Sequence, residues 1–123
     1  AISVPSHCPL LDGPAATLAE AFATVRIERP RRRYLSGSLA RRIQDPAALR
    51  EDLAFNMARP VHWHATLRSA YERGVRLHIE MPPGNVLTGL ARRVFAPGST
   101  IAFQGSRLDT LDALLREEVA RSE

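Results

Sequence analysis

With 123 residues, 45% of them hydrophobic, the chain has the material for one small domain with its own core and is too apolar to remain a disordered polymer. Only 6% of residues are aromatic, so Ala and Leu must do most of the packing, which favours helices with a few strands and an α/β class. The single cysteine, Cys8, excludes an internal disulfide, and the formal charge of +4 rests on 17 cationic residues that are all arginine.

The lone thiol fits a reducing cytoplasm. No apolar run approaches the roughly 20 residues that span a bilayer, and the N-terminus lacks a basic-then-apolar leader, so a soluble protein is expected. The arginine bias, together with abundant Ala, reads as the codon bias of a GC-rich genome. A basic surface still attracts acidic partners and phosphorylated ligands.

In chain order, AISVPSHCPLL begins extended, and Pro5-Ser6-His7 reads as a strand running into a turn and then a helix. Ala15, Leu18, Ala19, Phe22 and Val25 keep a helical period and predict an amphipathic helix from Pro14 that ends before Arg26. Tyr34-Leu35 with Ser36-Gly37-Ser38 predicts a short strand and a turn. Asp45-Pro46 predicts a helix start, with Leu49, Leu53 and Phe55 facing inward. Pro60 is expected to open the next helix and Gly74 to close it.

Val75, Leu77, Ile79 and Met81 alternate with Arg76, His78 and Glu80, the clearest strand pattern in the chain. After Pro82-Pro83-Gly84, Asn85 is expected to cap a helix carrying Val86, Leu87, Leu90 and Val94, which Ala96-Pro97-Gly98 ends. Ile101-Ala102-Phe103 reads as a last strand, and Ser106 with Asp109 as a capping box for a terminal helix bearing Leu108, Leu111, Leu114, Leu115 and Val119. Five helices interleaved with three or four strands predict a short, mostly parallel sheet with helices packed on it. No internal repeat or linker divides residues 1–123.

Three stretches in this order, Val4-Pro5-Ser6-His7, NMARPVHW at 56–63 and EMPPGNVLTGL at 80–90, resemble the C-terminal portion of the malonyl-CoA:acyl carrier protein transacylase family. The SHCPLL stretch and the terminal LDTLDALLREE look most like the epsilon subunit of bacterial malonate decarboxylase. The resemblance implies the C-terminal part of the large hydrolase-like α/β subdomain, with the nucleophile segment and the small ferredoxin-like subdomain upstream of it. The chain is then a fragment or a portion of a larger enzyme. Where the family has Gly-Pro-Gly, this chain has Pro82-Pro83-Gly84.

The resemblance also assigns roles. His7 becomes the catalytic base that takes the proton of an acyl-accepting serine and returns it to the departing thiol, a task suited to imidazole, which ordinarily titrates near neutrality. Asn56 matches a family glutamine beside that histidine, where a side-chain or main-chain carbonyl would hold the imidazole tautomer; a plain helix C-terminal Asn is the competing reading. Val86 becomes a wall of the acyl pocket. The implied reaction moves malonyl from coenzyme A, a substrate and not a resident cofactor, to the phosphopantetheine thiol of an acyl carrier protein. A non-catalytic carrier-binding or assembly module is the alternative.

The family's Gly-x-Ser-x-Gly nucleophile elbow is not found in these residues, and Ser36-Gly37-Ser38 lacks its framing glycines. Cys8 reads as a small buried hydrophobe. His62 and His64 are two apart and would face different sides of a helix, which makes them poor co-ligands for a metal with His78 and Glu80. The arginine-rich run at 26–33 has no interleaved aromatics for base stacking, so nucleic acid is not an expected partner; an acidic carrier protein or the phosphates of coenzyme A are better matches.

Overall fold

A computed structural model describes residues 5–96 and 98–122. The extended start expected over the first four residues, and Pro97 in the Ala96-Pro97-Gly98 terminator, lie outside the described residues. The chain divides into two compact units, residues 1–66 and 67–123.

In the first unit a 3-10 turn, Pro9–Leu11, leads into α1, Asp12–Ala23. Two short strands, β1 (Tyr34–Leu35) and β2 (Arg42–Ile43), pair antiparallel through Tyr34↔Ile43 and Leu35↔Arg42. α2, Pro46–Phe55, starts as the sequence predicts: the Asp45 carboxylate accepts from Ala48 N at 2.8 Å, and Pro46 occupies the first turn, where a missing N–H costs nothing. α2 packs on α1. It continues into a 3-10 turn, Asn56–Ala58, after which residues 60–62 run non-helically to α3, Trp63–Glu72. Pro60 therefore precedes α3 by a short connection and does not open it.

The inward face of α2 differs from expectation. Leu49 is buried, but Leu53 is 41% exposed, and Asp52 and Ala54 take the inner positions with it. Asp52 can be buried because three hydroxyls satisfy its carboxylate.

In the second unit α3 ends at a left-handed Gly74 (φ +91°), a conformation that costs glycine little. β3 (Leu77–Glu80) and β4 (Ser99–Ala102) pair in parallel from Leu77↔Ser99 to Glu80↔Ala102, with α4 (Val86–Ala91) in the crossover between them. Gly98 enters β4 so close to β3 that a Cβ there would lie 2.5 Å from Arg76 O, which makes glycine obligatory at this approach. α5, Leu108–Ser122, touches β3. Leu67, Ala91, Phe95 and Leu111 form the buried core of this unit.

Several sequence expectations shift here. Met81 is exposed and Glu80 buried, so the apolar alternation of β3 does not reach its end. Asn85 makes no side-chain cap; the Glu80 carboxylate does that job, accepting from Leu87 N (3.2 Å), Thr88 N (2.6 Å) and Thr88 Oγ1 (2.7 Å). The Ser106–Asp109 capping box does not form: Ser106 Oγ donates to Ala102 O, while Asp109 takes the Arg107 guanidinium and the Thr110 N–H.

The two polar groups at the end of β3 give this unit a pH signature. Burial lowers the His78 imidazole below its ordinary 6.5, and the Glu80 charge opposes this only in part. Burial alone would raise Glu80, but its hydrogen bonds from Thr88 and Leu87, with His78 nearby, hold the carboxyl below its ordinary 4.5. On acidification the unfolded chain protonates His78 first, so stability falls once pH drops below 6.5. The Glu80 contribution, present above 4.5, is lost further down as pH falls through its lowered folded value. The unfolding midpoint measured against pH should therefore decline in two stages, and His78→Gln should remove the upper one.

Candidate active site

His7 lies between Pro5 and Pro9 and adopts a left-handed backbone (φ +57°), a conformation seldom used by residues with a Cβ and held here by its surroundings. Its N–H donates to Met57 O at 2.7 Å, and its ring Nδ1 lies 2.9 Å from Asn56 O. Both acceptors belong to the 3-10 turn at the end of α2, and Asn56 O, with its second lone pair, also accepts from Arg59 N at 3.3 Å.

The ring contact fixes the tautomer. A carbonyl oxygen can only accept, so Nδ1 carries the hydrogen and donates it, leaving the lone pair on Nε2, for which no hydrogen bond is found among the described residues, on an exposed side chain. The exposed ring is thus held at Nδ1 by a main-chain acceptor, with Nε2 on its other side.

Of the sequence-predicted site residues, His7 and Asn56 meet, and the Asn56 atom in that contact is its main-chain carbonyl oxygen. Val86 stands in the second unit as the first residue of α4 and is 71% exposed. Cys8 is partly buried.

His62 precedes α3, donates its N–H to Gly37 O at 2.8 Å and accepts from Thr66 through its own carbonyl. Among the described residues no group of three or more His, Cys, Asp or Glu side chains is placed to hold a metal ion, and no helix is long and apolar enough to cross a membrane. In the basic run, Arg26 pairs with Glu28 at 3.2 Å on open surface, and Arg29 donates to Gln44.

Two residues in and just before the Asn56–Ala58 turn make contacts that the sequence did not indicate. One is Met57, whose carbonyl holds the His7 backbone; a main-chain role leaves no trace in residue type. The other is Asp52, only 1% exposed, whose Oδ1 accepts from Ser36 Oγ (2.6 Å) and Ser38 Oγ (2.7 Å) and whose Oδ2 accepts from Tyr34 OH (2.7 Å). Burial, this hydrogen bond and the Asp52 charge raise the Tyr34 phenol well above its ordinary value. Both serine hydroxyls are buried and committed to a carboxylate, which places neither as a nucleophile. A carboxylate between Leu49 and Leu53, one turn before Asn56, is the signal that was available.

Helices alternating with a parallel strand pair define an α/β protein. No protein-family model matches the chain. The malonyl CoA-acyl carrier protein transacylase of Salmonella typhimurium strain LT2 is 33% identical over 93 residues, covering 76% of this chain and 30% of that protein. Among solved structures, the acyl carrier protein S-malonyltransferase of Vibrio cholerae matches with a TM-score of 0.80 at 31% identity, over 93% of this chain and 37% of that one. A malonyl transacylase solved in complex with its type II polyketide synthase acyl carrier protein matches with a TM-score of 0.71 at 32% identity, over 83% of this chain and 32% of that one. The chain thus spans about a third of the length of the relatives it matches. By sequence and by fold it is related to the malonyl-CoA:acyl carrier protein transacylases and corresponds to their C-terminal portion.

Proposed function

We propose that this chain is part of an enzyme that transfers malonyl from coenzyme A to the phosphopantetheine thiol of an acyl carrier protein, and that His7 is its base. The observation that carries the reading is the Nδ1 contact with Asn56 O, which puts the hydrogen on Nδ1 and the proton-accepting lone pair on Nε2. The relationship to malonyl transacylases supports the substrate class, and the relative solved with its carrier protein supports the partner.

In the first half-reaction Nε2 accepts the proton of a serine hydroxyl supplied by sequence outside these 123 residues. The serine oxygen bonds to the malonyl carbonyl carbon, the carbon–sulfur bond breaks, and the imidazolium gives its proton to the coenzyme A sulfur. In the second half-reaction Nε2 takes the proton of the carrier thiol, its sulfur bonds to the malonyl carbonyl carbon, the ester carbon–oxygen bond to serine breaks, and the proton goes to the serine oxygen. Val86 keeps the role the resemblance gives it, one wall of the acyl pocket. The SHCPLL and LDTLDALLREE stretches favour a malonate decarboxylase carrier protein as acceptor, and the lone Cys8 a cytoplasmic setting.

The test is transfer of labelled malonyl from coenzyme A by the complete enzyme. Label should reach carrier protein bearing a free phosphopantetheine thiol and not the same carrier with that thiol blocked. Carrier binding with no label transferred would favour the assembly-module reading instead.

A further inference from the structure

We infer that the Ser36-Gly37-Ser38 turn, whose two serines are buried and linked to α2 through Asp52, is the positioning element for His7. The inference rests on the reading of His7 as the base. Residues 56–60 carry the two carbonyls that grip His7, and this segment is anchored at both ends by the same three residues.

On its N-terminal side, Asp52 lies one helical turn before Asn56 and accepts from Ser36 and Ser38, whose hydroxyl oxygens are 3.1 Å apart. Leu39 N donates to Ser36 Oγ at 3.0 Å and Ser36 N to Arg41 O at 2.9 Å, so the turn is itself fixed. On the C-terminal side, Gly37 O accepts from His62 N at 2.8 Å, and Thr66 Oγ1, whose proton goes to His62 O at 2.9 Å, lies 3.4 Å from Ser36 O. Gly37 also sits against Val61, whose Cγ1 would be 3.6 Å from a Cβ at that position.

A buried carboxylate gains nothing over a well-packed apolar side chain in stability alone, because desolvation offsets its hydrogen bonds. What it adds is direction. Three donors of fixed geometry set where this turn of α2 stands, and so where the carbonyls of residues 56 and 57 point. An aliphatic residue at 52 would fill the space without setting the angle.

The experiment compares Asp52→Ala, Asp52→Asn and Ser38→Ala with the parent in the complete enzyme, reading kcat, KM and the ring ¹⁵N shifts of His7. Asp52→Ala should lower kcat by about 10- to 100-fold with KM within about twofold, and should move the ring shifts away from the Nδ1–H pattern. Asp52→Asn, which keeps one acceptor oxygen, should recover most of the loss. If Asp52→Ala does not fold, Ser38→Ala carries the same comparison with a smaller drop.

Folded variants that keep the parent kcat and the parent His7 ring shifts while losing only thermal stability would overturn the inference. His7→Ala, run alongside, separates the two readings. Transfer retained in His7→Ala sinks the base assignment, and the ring shifts of the Asp52 variants then still decide whether this turn orients the imidazole.

Discussion

His7→Ala in the complete enzyme is expected to lower kcat/KM for malonyl transfer by about 10²–10⁴-fold, the usual contribution of a positioned general base. The loss should fall mainly on kcat, because a general base, the role proposed for His7, acts on protons in the transition state more than on substrate binding. Asn56→Ala should cost far less. The oxygen that orients the ring is the main-chain carbonyl of residue 56, which any residue supplies. Equal losses in the two variants would show that the amide side chain, and not the backbone, carries the orientation. The comparison therefore tests the geometry of the clamp as well as the identity of the base.

Phe95→Ala is expected to have the largest effect on stability, about 3–5 kcal/mol. Phe95 is 1% exposed, and its ring meets Tyr71 edge-on (centroids 5.8 Å apart, 74° between planes) and His78 at 5.8 Å and 57°. Removing the ring opens a cavity that neighbouring strands and helices can fill only in part, and forfeits two aromatic contacts as well. Urea unfolding followed by circular dichroism measures the loss. Phe95→Leu should recover much of it, because it restores most of the buried volume. A change below about 1 kcal/mol in Phe95→Ala would mean that this ring is not part of the core.

The elements bounded by specific chemistry could be read from the sequence. Asp45-Pro46 marks the start of α2, Gly74 the end of α3, and the alternation around Leu77 to Ile79 marks β3. β2 could not be read, because Arg42-Ile43 is too short for a period and lacks the glycine turn that follows Tyr34-Leu35 and marks β1. The inner face of α2 was misjudged at Leu53 because apolar periodicity has no means of crediting a carboxylate satisfied by distant hydroxyls. The same blindness hid Glu80 as the cap of α4: its partners are seven and eight residues ahead, beyond the spacing of a local capping motif. At the candidate site, His7 was visible through the stretch around it. Its two acceptors were not, since main-chain oxygens carry no residue signature.

The central claim is that this chain holds the base and not the nucleophile. It is tested most directly by quenching the complete enzyme in acid after brief mixing with malonyl-CoA, then locating the bound malonyl group by peptide mass spectrometry. The account predicts malonyl on a serine outside these 123 residues, with His7 unmodified. Malonyl on Ser36, Ser38 or Cys8 would contradict it.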